Sequence, residues 1–552
     1  MLFRRTAQAA CLVIFLLALA VSGRIAASDL FLRMDPALVG AAALAGRTLM
    51  WAFLPALVVV ISALVFGRIF CGYICPMGTT IDAADACFPR PRKTSGTNQG
   101  ISPRLKYYIL AFAAGSALAG VTFAFWVAPL SLITRFYGLV IYPVVLVVSN
   151  TAVSTVYPIA SFMDFRALMF AEIPTPRYAT QIFVLLFFAA VFAAAKFSPR
   201  FWCRYLCPSG ALLALASKKP VIRRRVSQDC NLCGICARGC PMGAIDPESP
   251  ENTAHAECIT CRKCAQVCPK DAVAFSTGPA ETVDSPEPVS PGRRRFLYSG
   301  LAGAGTAAVA LTGLNVVATD ESEKGVVSPA RLLRPPGALP EPEFLAACVR
   351  CGQCMAACPT NTLQPIWFSA GLLAVFSPSV TPRRKYCDPN CTACGHVCPT
   401  DAIQALAQKE RIWAKIGTAV IYRQQCLAWE YKKSCMVCDE VCPYGALEFE
   451  KRPDLPYPVP HVIEDKCSGC GHCEHACPVY NQAAIVVTPM NSLRLRPGDS
   501  FEYEAKTRGF DLSLEQKDEA RPGGAEPYPD GSIPEPGRQE SNGLPPGFDE
   551  GG

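Results

Sequence analysis

Twenty-four of the thirty cysteines in this 552-residue chain fall into six quartets, each closing on Cys-Pro. The first runs Cys230-x2-Cys233-x2-Cys236-x3-Cys240-Pro241, and the second repeats it at Cys258, Cys261, Cys264 and Cys268-Pro269. Thiolates at that spacing bind [4Fe–4S] clusters: a tight loop brings three sulfurs to one cube, and the fourth cysteine reaches the neighbouring cube. The rule assigns Cys230, Cys233, Cys236 and Cys268 to one cluster, and Cys258, Cys261, Cys264 and Cys240 to its partner. Two regular quartets follow at Cys348, Cys351, Cys354, Cys358 and at Cys467, Cys470, Cys473, Cys477. Between them stand Cys387, Cys391, Cys394, Cys398, with one extra residue in the first gap, and Cys426, Cys435, Cys438, Cys442, with a long first gap. The same exchange gives Cys358 to the second cluster of this set, Cys398 to the first, Cys442 to the fourth and Cys477 to the third. Zinc sites seldom use a third cysteine at this spacing, and disulfides would follow a different logic. The chemistry expected is one-electron transfer.

Two further cysteine pairs carry a different pattern. Phe70-Cys71-Gly72-Tyr73-Ile74-Cys75-Pro76-Met77-Gly78 and Trp202-Cys203-Arg204-Tyr205-Leu206-Cys207-Pro208-Ser209-Gly210 form an internal repeat, aromatic-Cys-x-Tyr-x-Cys-Pro-x-Gly. Four thiolates converging from two helix ends would make one metal or cluster site of Cys71, Cys75, Cys203 and Cys207. Two reduced structural thiol pairs are the alternative.

These ligands need elements to hold them. A mean hydropathy of +0.24 and 51% hydrophobic residues lean toward membrane insertion, while 48 prolines and 40 glycines demand many loops. Apolar runs at about residues 7–22, 49–66, 107–128 and 179–197 are expected to span a bilayer. A cleaved leader ending near Ala26 and Ala27 is the alternative for the first run. Basic residues beside both repeats put them on the cytoplasmic face, with an even number of crossings between. Residues 129–157 would break that parity, and their interior Arg135, Pro143 and Asn150 point to a broken or re-entrant element. Four spans before residue 230 are expected, with six as the alternative. Arg293-Arg294-Arg295-Phe296-Leu297 then leads about twenty small and apolar residues that read as one more crossing. The same letters have the form of a twin-arginine export signal, here internal. With its arginines held on the cytoplasmic side, this segment would put quartets on both sides of one membrane.

The expected fold is multi-domain, a polytopic transmembrane α-helical domain plus α+β ferredoxin-like dicluster [4Fe–4S] domains. Residues 1–215 form the transmembrane domain with both Cys-x3-Cys-Pro motifs, and residues 220–277 a cytoplasmic two-cluster ferredoxin domain. A linker at 278–292 leads to the arginine-led segment at 293–319. A periplasmic four-cluster ferredoxin-like domain follows at 340–490, and a disordered tail rich in Pro, Gly and acidic residues at 491–552.

The net charge of +7 arises partly from basic residues beside apolar runs, which reports topology and not nucleic-acid binding. The histidines, His255, His396, His461, His472 and His475, lie outside the expected spans, so a bis-histidine haem in the bilayer is excluded. No Cys-x-x-Cys-His offers a c-type haem, and no Gly-x-Gly-x-x-Gly follows a strand to bind a nicotinamide or flavin. Residues 48–268, with the two Cys-x3-Cys-Pro motifs and the eight-cysteine ferredoxin, resemble the NapH-type membrane subunit of quinol dehydrogenases. Residues 293–490, with an arginine-led segment and four quartets, resemble the NapG/MauM-type periplasmic ferredoxin, here fused to it. The resemblance implies a multi-pass protein of the bacterial inner membrane, a quinol dehydrogenase or electron-transfer subunit of a respiratory chain. It would oxidise quinol from the membrane quinone pool and pass electrons through six [4Fe–4S] clusters to a periplasmic reductase or cytochrome. Arg135, Asp164, Arg166 and Glu172 are candidates for proton release near the membrane. An accessory electron donor that matures or reactivates a partner metalloenzyme is the alternative function. Compartment reporters fused after residues 275 and 330 are expected to report opposite sides of a membrane, and a shared compartment would overturn this topology.

Overall fold

The computed structural model describes residues 2–21, 29–47, 53–87, 102–162, 175–277, 292–311 and 332–514. Asp164, Arg166, Glu172 and residues 278–291 and 312–331 fall outside them. Long apolar runs close their own backbone hydrogen bonds as helix, so the N-terminal part is helical. Its helices are α1 (Leu2–Ala20), α2 (Leu30–Arg33), α3 (Pro36–Gly46), α4 (Leu54–Phe66), α5 (Pro76–Cys87), α6 (Leu105–Leu118), α7 (Pro129–Phe136) and α8 (Tyr142–Phe162). Helices Gln181–Ala193, Phe201–Tyr205 and Pro208–Ala216 complete this part. One side of α1, α4, α7 and the Gln181–Ala193 helix feeds a shared core that includes Phe15, Val59, Phe136 and Phe188, where the last two rings stack at 4.4 Å. The opposite sides stay apolar and exposed, as at Val13, Leu17, Val58, Val148, Ile182 and Leu186. By length and composition two described helices could cross a membrane, Phe3–Ala20 and Pro129–Tyr157, and the other apolar helices are shorter.

Three expectations are corrected. Residues 129–157 are not broken: α7 runs through a π-helical turn (Tyr137–Ile141) straight into α8. That wide turn, where Tyr142 N donates to Tyr137 O, precedes Pro143 and absorbs the hydrogen bond a proline cannot make. The run expected at 107–128 stops as a helix at Leu118, because Gly120 adopts a left-handed φ of 87° and turns the chain. The tail does not begin at residue 491. Leu493, Leu495, Phe501, Phe510 and Leu512 are buried, and the helix Phe501–Thr507 is capped by Ser500 and held by Glu410, which accepts from Phe501 N at 2.6 Å. Apolar residues spread thinly along a polar stretch were enough to anchor it.

The ferredoxin module at 223–276 is bracketed by β1 (Arg223–Val226) and β2 (Val273–Ser276), paired antiparallel from Arg223↔Ser276. In the C-terminal half, β3 (Leu363–Pro365) and β4 (Pro378–Val380) form a hairpin between quartets. The last two quartets repeat the bracketed plan. There β5 (Thr418–Ile421) pairs with β8 (Ile485–Thr488) around an inner pair, β6 (Leu447–Glu450) with β7 (Val459–Val462).

Both modules are fastened to the helices by buried polar contacts. Glu257 of the first accepts from Arg68 Nη1 at 3.0 Å, Tyr107 Oη at 3.0 Å and Lys106 Nζ. Burial alone would raise the Glu257 carboxyl; the Lys106 and Arg68 charges outweigh it and hold the group below its ordinary range. Removing one partner of such a buried pair costs about 3–5 kcal/mol. From the C-terminal half, Arg350 donates to Thr122 Oγ1 at 2.9 Å, Val349 O accepts from Ser131 Oγ at 2.9 Å, and Met355 O accepts from Tyr178 Oη at 3.1 Å.

Arg293–Leu311 forms a helix, as expected for the described part of its segment, and lies along α6. Phe296 joins the layer of Tyr107, Ala211, Ala214 and Ala256 near the start of α6. Further along, a Cβ added to Gly115 would collide with the Gly300 carbonyl, and one added to Gly303 with the Phe112 carbonyl. Backbones approach this closely only where small residues face each other. Gly115→Leu or Gly303→Leu is therefore expected to destabilise the protein by about 1–3 kcal/mol. A lowered thermal midpoint in detergent would show this, with Gly305→Leu, whose Cβ meets nothing, as the neutral control.

Candidate functional site

The six quartets close in the exchanged arrangement that their spacing implies. One cavity is lined by Cys230, Cys233, Cys236 and Cys268, and its neighbour by Cys258, Cys261, Cys264 and Cys240. In the C-terminal half, Cys387, Cys391 and Cys394 share a cavity with Cys358. Cys426, Cys435 and Cys438 share one with Cys477, and Cys467, Cys470 and Cys473 one with Cys442. Cys348, Cys351, Cys354 and Cys398 form the remaining group, each thiol within electrostatic reach of others in it.

The backbone explains how three cysteines turn inward so quickly. In the regular quartets the second and fourth residues after the first cysteine take left-handed φ. They are Leu232 and Gly234, Thr260 and Arg262, Arg350 and Gly352, and Gly469 and Gly471. Non-glycine residues held there cost about 1–3 kcal/mol each, a strain typical of ligand loops. What it produces is a concave run of amide N–H groups suited to anionic sulfur. The two quartets with lengthened first gaps do without it, since Thr392 and Met436 stay at negative φ. Amides also reach the sulfurs directly: Thr260 N to Cys258, Ala244 N to Cys240, Ala446 N to Cys442 and Ile403 N to Cys398, all at 3.4 Å. Guanidiniums add charge, with Arg224 at 3.4 Å from Cys236 Sγ and Arg411 at 3.2 Å from Cys387 Sγ. Burial pushes the bare Cys258 thiol up to about 12 against the pull of the Thr260 amide, so its thiolate form calls for a bound cation.

This donor set fits a four-iron cube. Each quartet groups four sulfurs, several of which meet N–H donors, and no disulfide joins any of the described cysteines.

The two Cys-x3-Cys-Pro repeats come together. Cys71, Cys75, Cys203 and Cys207 stand within electrostatic reach of one another in the core of the helical part. Cys75 and Cys207 adopt nearly the same conformation, φ −62°, ψ 116° and φ −71°, ψ 113°, each opening a helix with proline at its first position. The motif glycines are required by contact. A Cβ on Gly78 would stand 2.7 Å from Cys71 O, and one on Gly210 would stand 2.6 Å from Arg68 Nη2.

Two residues here were not singled out from the sequence, although their signal is present: Arg68 and Arg200 each stand three positions before the first cysteine of a repeat. Both are fully buried and cross over to the other repeat. Arg200 donates to Cys71 O at 3.0 Å and to Gly78 O at 3.3 Å, and pairs with Asp82, while Arg68 reaches Gly210.

The four-thiol site lies between the modules. On one side Gly72 abuts Ile259, the residue after Cys258, and Tyr73 Oη donates to Thr260 O at 3.2 Å. On the other, buried Asp35 accepts from Ser209 Oγ beside Cys207 and from Leu130 N, and the next residue, Ser131, holds Val349 beside Cys348. Asp35 and Pro36 are an N-cap and first-turn pair that start α3, a helix the sequence reading overlooked. Arg135 is not an exposed proton-handling group. It is buried, donating to Phe125 O and stacked 4.8 Å from the Phe376 ring, near Cys348 and Cys351.

The exchanged arrangement makes a sharp expectation. Cys358→Ser should remove the paramagnetic signal of the cluster at Cys387, Cys391 and Cys394, and Cys398→Ser that of the cluster at Cys348, Cys351 and Cys354. Spin-quantified EPR of the reduced variants checks it.

Profiles of 4Fe–4S binding domains match residues 48–94, 180–227 and 345–364, and profiles of 4Fe–4S dicluster domains match residues 229–273 and 433–481. The chain is 40% identical over 211 residues to the methylamine utilization ferredoxin-type protein MauM of Methylorubrum extorquens, a stretch covering 37% of this chain and 91% of that protein. It is 34% identical over 221 residues to the ferredoxin-type protein NapG of Escherichia coli, covering 38% of this chain and 92% of that protein. MauM of Paracoccus denitrificans is 40% identical over 168 residues, 29% of this chain and 72% of that protein. With cavities of exchanged cysteine quartets and this coverage, the chain is an iron–sulfur electron-transfer protein that belongs to the ferredoxin-type family of MauM and NapG.

Proposed function

We propose that the chain is a fused membrane quinol dehydrogenase, a NapH-type membrane part joined to a NapG/MauM-type ferredoxin, which delivers electrons to an acceptor across the bilayer. A bound [4Fe–4S] cluster supplies a place for one electron without making or breaking a bond to substrate. The six exchanged quartets would hold six such clusters, which would supply places for the two electrons that a quinol gives up along with its two protons. The two-cluster module then lies in the cytoplasm and the four-cluster module in the periplasm, facing a reductase or cytochrome, in the inner membrane of a bacterium.

The observation that carries this reading is the attachment of the two modules to different ends of α6. Lys106, in its first turn, meets Glu257 of the first module, and Thr122, just after it, meets Arg350 of the second. The apolar outward faces of α1, α4, α8 and the Gln181–Ala193 helix suit lipid on the intervening surface.

The test is reduction of the purified protein by a short-chain quinol under anaerobic conditions, followed by the loss of absorbance near 400 nm on the order of seconds. Fast reduction blocked by a quinone-site inhibitor is the expected result. Its absence, with clusters that dithionite still reduces, would replace quinol oxidation by the accessory role of supplying electrons to a partner metalloenzyme.

A further inference from the structure

Arg68 is fully buried, yet only one of its three nitrogens has a partner: Nη1 donates to Glu257, while Nε and Nη2 are without a hydrogen-bond acceptor. Leaving buried charged donors unmet is expensive. Their direction is informative. A Cβ built on Gly210 would lie 2.6 Å from Arg68 Nη2 and 3.4 Å from Cys207 Sγ, so the open end of the guanidinium and that sulfur share one small space. Arg200 occupies the equivalent position of the other repeat, against Gly78 and the Cys71 carbonyl.

Basic groups on both sides of the site share their carboxylate partners. Glu257 is shared by Arg68 and Lys106, and Asp82 by Arg200 and Arg4. Each carboxylate therefore meets two cations, while Asp85 also accepts from the Arg200 amide at 2.9 Å. Asp35 approaches from the side of Cys75, with its oxygens taken up by the Ala37, Leu38 and Leu130 amides and the Ser209 hydroxyl. An oxidised cube on four thiolates carries two negative charges, and its sulfurs accept hydrogen bonds.

We propose that Arg68 and Arg200 are the charge partners of a seventh iron–sulfur cluster held by Cys71, Cys75, Cys203 and Cys207, with the two open N–H groups of Arg68 donating to its sulfurs. Arg68 is thus a positioning residue that sets the potential of this site, while its bond to Glu257 fixes the guanidinium in place. The inference rests on reading the chain as an iron–sulfur electron carrier. It gives the four-thiol site a defined ligand class and makes it the station between the two ferredoxin modules.

The test uses the full-length protein purified anaerobically in detergent, with iron and sulfide analysis and EPR-monitored redox titration. Cys71→Ser/Cys207→Ser should contain about four irons fewer per chain than the unaltered protein and lack one paramagnetic signal. In Arg68→Gln, that one signal should become harder to reduce by at least tenfold in its equilibrium constant, about 59 mV downward for one electron. Arg68→Lys should recover most of the shift. Glu257→Gln removes a negative charge from the same cluster of groups and should move the same signal upward. A purely structural Arg68–Glu257 clasp would instead make both variants behave alike. Equal iron in the cysteine variant and the unaltered protein, or shifts of the same sign in Arg68→Gln and Glu257→Gln, overturns the proposal. A chain holding about 24 irons whatever stands at Cys71 sinks this inference alone, whereas zinc or no metal throughout sinks the electron-carrier reading with it.

Discussion

Four thiolates brought into one buried cavity repel one another, and the architecture is arranged around compensating that repulsion. Two unit charges about 6 Å apart at an effective dielectric of ~20 cost roughly 3 kcal/mol, and a quartet holds several such pairs. Bound iron offsets most of this, and the protein supplies the remainder in three forms. Left-handed loop residues such as Thr260 and Arg350 turn amide N–H groups inward. Cys-Pro steps at Cys75 and Cys207 start helices, so their sulfurs sit at the positive end of a peptide dipole. Buried guanidiniums, Arg224, Arg411, Arg68 and Arg200, stand beside sulfur or a carboxylate.

The helical part then serves as a holder with polar contacts near its ends and an apolar body. Glu257 with Arg68, Lys106 and Tyr107 closes one end; Arg350 with Thr122, and Ser131 with Val349, close the other. Between them lies the four-thiol site, reached from one module through Gly72 and Ile259 and from the other through Asp35, Leu130 and Ser131. Glycine and alanine where α6 meets the Arg293–Leu311 helix let the arginine-led segment lie against this body without a side-chain layer. The same compactness that excludes water from the thiols leaves a guanidinium such as Arg135 no route to solvent, so it bonds a backbone carbonyl and covers an aromatic ring.

The ligands were legible because cluster binding is a local demand. Three thiolates within seven residues and a fourth before proline leave a trace that no tertiary context can hide. The helices were less legible. Pro143 and Arg135 read as breakers of residues 129–157, yet a single π-turn accommodates the first and the Phe125 carbonyl the second. Gly120 ended a helix that composition alone would continue. Leu493, Leu495, Phe501, Phe510 and Leu512 ordered a stretch whose average composition resembles disorder, because five buried anchors outweigh a polar average.

By itself the sequence determined which sulfurs belong to which cavity and that an apolar helical body accompanies them, since both follow from spacing and periodicity within short stretches of chain. Only the tertiary structure decided that Cys71 and Cys75 meet Cys203 and Cys207, and that Arg68 and Arg200 cross between the repeats. It likewise decided that this site lies between the two ferredoxin modules. More than a hundred residues separate the two repeats, and at that range only the shape of the packed core and the demand to satisfy buried charge select a partner.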